Sequence, residues 1–135
     1  MALQLSTSVR NAMLDAIETT VGTSAILELR TGSVPATCAT ADSGTLLISY
    51  SLASDWAAAA SSASKALNNT PLTGSATGTG TAGHFRLKDS GGTTCHAQGT
   101  ITATGGGGDM TVDNTSIASG QTVNVTSLSF AQGGA

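Results

Sequence analysis

The stretch AGHFRLKDSGGTTCHAQGTI, residues 82–101, decides the fold. Successive side chains of an extended strand alternate between its faces, so Phe85 and Leu87 fall on one side and His84, Arg86 and Lys88 on the other. Asp89-Ser90-Gly91-Gly92 supplies the left-handed positions of a tight turn, after which Cys95, Ala97 and Ile101 resume the inward phase. A β-hairpin is expected, its outward face carrying His84, Arg86 and Lys88.

The same period of two continues on either side. Downstream, Met110 and Val112 alternate with Asp109, Thr111 and Asp113, and Ser119-Gly120 turns the chain. Val123 and Val125 then give way to Leu128 and Phe130, a slip in phase that predicts a bulge near Thr126-Ser127. Gly105 to Gly108 reads as a flexible connection, and the tail AQGGA as frayed. Upstream, Ala25, Leu27 and Leu29 alternate with Glu28 and Arg30, then Thr31-Gly32 turns into a loop holding Pro35 and Cys38. A further strand, Thr45 to Ser51, places Leu46, Ile48 and Tyr50 on one face. Residues 53–80 lack a clear period: DWAAAASSASKALNN reads as a loop or irregular strand, and Thr70 to Gly80 as a surface loop or a flat strand that needs a neighbour.

Only the first segment carries a helical period. Val9, Met13, Ile17 and Thr20 recur at three- and four-residue steps with Ala12 and Ala16 beside them, while Arg10, Asn11, Asp15 and Glu18 lie away from that stripe. A helix over Thr7 to Thr20 is predicted, capped by Ser6 or Thr7 and ended by Gly22. The expected fold is an all-β, jelly-roll or β-sandwich-like single domain with one N-terminal α-helix: a helix or arm over residues 1–22 and the sandwich over 23–135.

Composition narrows the function. The 135 residues suffice for one hydrophobic core. With five Lys and Arg against eight Asp and Glu, no stretch neutralises several phosphates together, so no nucleic-acid partner is expected. Charged residues make up 10% of the chain, against about 25% in an average domain, so the exterior is hydroxyl-rich and largely neutral. A hydrophobic fraction of 39% with this small net charge favours a folded chain over a disordered one. MALQLSTSVRNAML lacks a basic n-region followed by an apolar h-region, and no run of 18 apolar residues occurs, so neither an export signal nor a membrane span is expected. Cys38 and Cys95 are accordingly read as reduced thiols.

Candidates for chemistry are few. His84 and His96 are expected to face each other across the hairpin near Arg86, but two imidazoles lack the third ligand of catalytic zinc. Asp109 and Asp113, about 13 Å apart along one strand, read as solvated carboxylates. Gly105 to Gly108 lacks the Gly-Lys-Ser/Thr ending of a phosphate loop. The chain is therefore expected to be no enzyme, with no catalytic residues, no cofactor and no metal.

Three blocks, LSTSVRNAMLDAIETTVG (5–22), TGTAGHFRLKDSGGTTCHAQGTI (79–101) and DMTVDNTSIASGQTVNVTSLSF (109–130), resemble small virion structural proteins of tailed bacteriophages. That resemblance implies a capsid cement or decoration subunit on the outer surface of the head, made in the host cytoplasm. Its partners would be the major capsid protein and copies of itself, as dimer or trimer. The contact regions expected are the helix, through Val9, Met13 and Ile17, then Trp56, and more weakly the outward hairpin face of His84, Arg86 and Lys88. A tail or head-tail connector subunit, or a carbohydrate- or receptor-binding β module, are the alternatives.

Overall fold

Helix α1, Thr7–Val21, opens a computed structural model that describes residues 3–134. Ser6 Oγ accepts from Val9 N at 3.2 Å, satisfying one of the free N–H groups of the first turn. Gly22, at φ 90, ends the helix with its N–H on Glu18 O at 2.9 Å, so both predicted ends are observed.

Among the described residues nine strands follow: β1 Ile26–Thr31, β2 Leu46–Ser51, β3 Ser64–Ala66, β4 Leu72–Ser75, β5 Gly80–Lys88, β6 Cys95–Ala103, β7 Met110–Val112, β8 Ser116–Ile117 and β9 Thr122–Ala131. They join along the path β2-β1-β5-β6-β7-β9-β3, with β4 on β9 and β8 on β5, and the mixed sheet curls into a half-barrel. The all-β class with a single helix is thus observed. One core joins the helix to the sheet: Val21 and the partly buried Ile17 pack with Leu27, Leu29, Ile48, Phe85, Leu87, Met110, Val112, Val123, Val125 and Leu128.

The predicted hairpin is β5–β6, with Phe85 opposite Gly99 and Leu87 opposite Ala97. A register shift after Leu87 sets Lys88 against Cys95 and alters the phase there. Cys95 therefore leaves the inward phase read for it, and its sulfur accepts a hydrogen bond from Arg86 Nε at 3.3 Å. The predicted bulge also appears. Met110, Thr111 and Val112 pair with Leu128, Ser127 and Val125, so Thr126 is the extra residue.

Two tight approaches explain glycines that looked merely flexible. β6 and β7 run parallel although only residues 104–109 separate them, so the chain doubles back over Thr102. A Cβ on Gly106 would lie 2.7 Å from Thr102 Cβ, and Gly105 and Gly107 take φ 88 and 83. At the open side of the half-barrel, a Cβ on Gly74 would meet Tyr50 Cε1 at 2.8 Å. That clearance lets Tyr50 reach across and donate its hydroxyl to Val123 O at 2.8 Å, tying β2 to β9.

Residues 53–80 are more ordered than their composition suggests. β3 and β4 are short strands that find their neighbour in β9, and Ala57 bridges Leu67. The tail is tied as well: Gln132 N donates to Ala63 O at 3.1 Å and Gly134 O accepts from Leu5 N at 2.7 Å. Fraying read for Ala131–Gly134 is therefore corrected, while Ala135, like Met1 and Ala2, lies outside the described residues.

Candidate functional site

The helix sets Asn11, Asp15 and Glu18 against the segment of residues 58–65. Asn11 Oδ1 accepts from Ala63 N at 2.8 Å, and Asp15 Oδ1 from Ala60 N at 2.9 Å. Lys65, 2% exposed, places Nζ 2.9 Å from Asp15 Oδ1 and 2.9 Å from Glu18 Oε2, and donates to Ala58 O at 2.9 Å. The irregular backbone of residues 58–65 and its buried ammonium need hydrogen-bonding partners, and the polar side of α1 supplies them. Leu14, Ile17 and Val21, a second stripe at three- and four-residue steps, face the core between these polar groups.

The stripe expected to be the helix's apolar face consequently points outward over most of its length. Val9 is 46% and Met13 44% exposed, and Ser8, Ala12, Ala16, Thr19 and Thr20 are exposed with them. No charged side chain interrupts that face. Leu3, ahead of the helix, is 85% exposed. Beside the helix face lies an open cleft of about 270 Å³ between Met13, Ala16, Ile17, Thr20, Val21 and His96.

The outward face of the hairpin is different from its expected form. His84, Arg86 and Lys88 are all buried, because the loop of residues 32–45 folds over them. This corrects their reading as exposed docking residues. The loop lacks strand partners for its carbonyls, and Arg86 provides donors: Nη1 to Thr40 O at 2.9 Å, and Nη2 to Cys38 O at 2.8 Å and Thr37 O at 3.4 Å. Asp42 is the anionic hub, with Oδ1 2.7 Å from Arg86 Nη1 and Oδ2 2.6 Å from Lys88 Nζ and 3.1 Å from Arg30 Nη2. Glu28 Oε1 completes the cluster at 2.9 Å from Lys88 Nζ and 3.0 Å from Arg30 Nε. Four of the five cationic side chains are thereby held in ion pairs.

The two histidines do not meet. His84 registers with Thr100 and sets Nδ1 3.0 Å from Gly32 O, whereas His96 lines the cleft beside the helix. Asp109 and Asp113 are also bound within the fold. Asp109 Oδ2 accepts from Thr100 N at 2.9 Å, and Asp113 Oδ1 from Asn124 N at 3.1 Å. Trp56, expected at a contact surface, is 2% exposed in the core and donates Nε1 to Gly22 O at 2.9 Å.

Asp42 and Lys65 are the organising groups that sequence reading missed. Asp42 belongs to the Asp42-Ser43-Gly44 turn signal before β2, and Lys65 is a lone cation in an alanine- and serine-rich run, so neither carries a local mark of its partners.

Burial opposes the charge on Asp42, but Lys88, Arg30 and Arg86 outweigh it and hold the carboxyl below its usual 3.8. Asp15 is lowered by its hydrogen bonds from Lys65 and Ala60 N, and Asp89 by those from the Thr93 and Thr94 amides. A carboxyl lowered by folding contributes stability that is present above its unfolded value and is lost as pH falls through the folded one. The thermal midpoint is therefore expected to drop steeply as pH falls below about 3.8. Asp42→Asn should lower the midpoint at pH 7 and flatten that acid limb; an unchanged limb in a pH series would show that Asp42 does not carry it.

No protein-family model, curated protein or solved structure matches this chain.

Proposed function

We propose that the chain is a non-enzymatic structural subunit that works by docking its N-terminal arm and helix onto a larger assembly. Its three blocks resembling small phage virion proteins make the assembly a tailed-phage capsid, and the chain a cement or decoration subunit bound to the major capsid protein.

One observation carries this reading: α1 directs Asp15 and Glu18 to Lys65 on one side and presents Val9 and Met13 to solvent on another that holds no charged residue. Apolar side chains grouped on one exposed face are a common mark of a protein contact. Because four of the five cations are held in internal ion pairs, docking through this face is apolar rather than electrostatic. Binding only to the assembled lattice then stabilises the shell by mass action, since each bound subunit favours the state that it bridges.

Cosedimentation with mature phage capsids stripped of decoration subunits tests this. Wild-type chain is expected to pellet with the shells in a saturable ratio. Met13→Asp and Val9→Asp should remain in the supernatant, while their thermal midpoints change by no more than the few degrees usual for surface substitutions. Equal pelleting of wild type and Met13→Asp, or no pelleting of wild type, overturns the helix-docking reading. Density on the tail instead of the head, in images of reconstituted particles, would move the assignment to a tail subunit.

A further inference from the structure

Cys38, on the covering loop, and Cys95, at the start of β6, are brought together by the fold from distant parts of the chain. One guanidinium holds both residues: Arg86 donates Nη2 to Cys38 O at 2.8 Å and Nε to Cys95 Sγ at 3.3 Å. Nη2 and Nε belong to one planar guanidinium, so the two residues it holds lie side by side, and Cys95 is near enough to oppose ionisation of the Cys38 thiol. Both cysteines are half-buried, which leaves them within reach of a small reagent.

We propose that Cys38 and Cys95 form a disulfide when the protein meets a small-molecule disulfide such as oxidised glutathione, and that the bond staples the loop of residues 32–45 to the β5–β6 hairpin. The order of attack follows from the surroundings. Burial and the contact with Cys95 push the Cys38 thiol up to about 11, making it the slower nucleophile, whereas a donor on Arg86 already points at Cys95 Sγ. Cys95 gives its proton to solvent and attacks one sulfur of the oxidant, forming a mixed disulfide, and the first glutathione thiolate leaves and takes up a proton. Cys38 then loses its proton to solvent and attacks Cys95 Sγ, expelling the second glutathione thiolate, which is protonated in turn. Two protein thiols are oxidised by two electrons, and one oxidant molecule is reduced to two thiols.

The staple closes a long loop and so restricts the unfolded chain more than the folded one. The docking role of α1 is not needed for this inference.

The test uses reduced full-length protein incubated with oxidised glutathione, quenched in acid and treated with maleimide. Intact mass should fall by about 2 Da with both thiols lost to maleimide, as a disulfide requires. The thermal midpoint should rise by roughly 10 °C over the reduced form and return on adding dithiothreitol. Cys38→Ser should instead trap glutathione on Cys95. Two reactive thiols after oxidation, a persistent glutathione adduct on the wild type, a disulfide-linked dimer, or an intramolecular bond with no thermal gain would each overturn the proposal.

Discussion

Arg86→Met is expected to lower the unfolding free energy by about 3–5 kcal/mol, the range for removing one partner of a buried ion pair. Arg86 is 1% exposed and bonds to Asp42, to the carbonyls of Thr37, Cys38 and Thr40, and to Cys95 Sγ. Methionine fills much of the same volume, so the loss isolates the donors rather than a cavity. Asp42 would retain Lys88 and Arg30, and Thr37 O would keep Thr40 N, but the carbonyls of Cys38 and Thr40 would be left without partners. Urea denaturation reads the global effect. Hydrogen exchange should show residues 33–44 opening first, because the guanidinium is their main tie to the sheet. Arg86→Lys keeps the charge but not the planar fork, so its loss should fall between wild type and Arg86→Met. A midpoint for Arg86→Met equal to wild type would mean that the loop holds itself in place.

Trp56→Ala should cost a similar amount, about 3–5 kcal/mol, for a different reason. The indole is 2% exposed within the single core and donates to Gly22 O, the carbonyl that follows α1. Its removal leaves a cavity at the joint between helix and sheet. Trp56→Phe restores most of the volume and loses the hydrogen bond, so about 1–2 kcal/mol is expected. Thermal unfolding of the isolated chain decides between the two roles considered for this residue. A core residue destabilises the lone chain when truncated, whereas a residue serving only subunit contacts would leave its midpoint unchanged.

The strands of the half-barrel were legible wherever one face meets the core and the other does not. Leu27 and Leu29, Phe85 and Leu87, and Met110 and Val112 keep strict alternation and are buried as read. The slip between Val125 and Leu128 located a bulge at Thr126 without any structure. Residues 58–66 defeated the same reading because their order comes from distant partners, β9 and the polar side of α1. Of the contact stripe read from the sequence, Val9 and Met13 are exposed, whereas Ile17 is corrected: it packs against the core. Val9 and Met13 form one apolar stripe and Leu14, Ile17 and Val21 another, and hydropathy ranks neither as the inner one.

By itself, then, the amino-acid order determined the strand phases, the helix ends and the single all-β unit, since each follows from local periodicity, caps and turns acting over a few residues. Tertiary structure alone decided which face of α1 meets solvent and that Arg86 and Lys88 lie beneath a loop. Those outcomes depend on Lys65 finding Asp15 and Glu18, and on Asp42 reaching Arg86 and Lys88, across tens of residues. Burying charge is favourable only when such remote partners arrive together, and no local pattern records that they will.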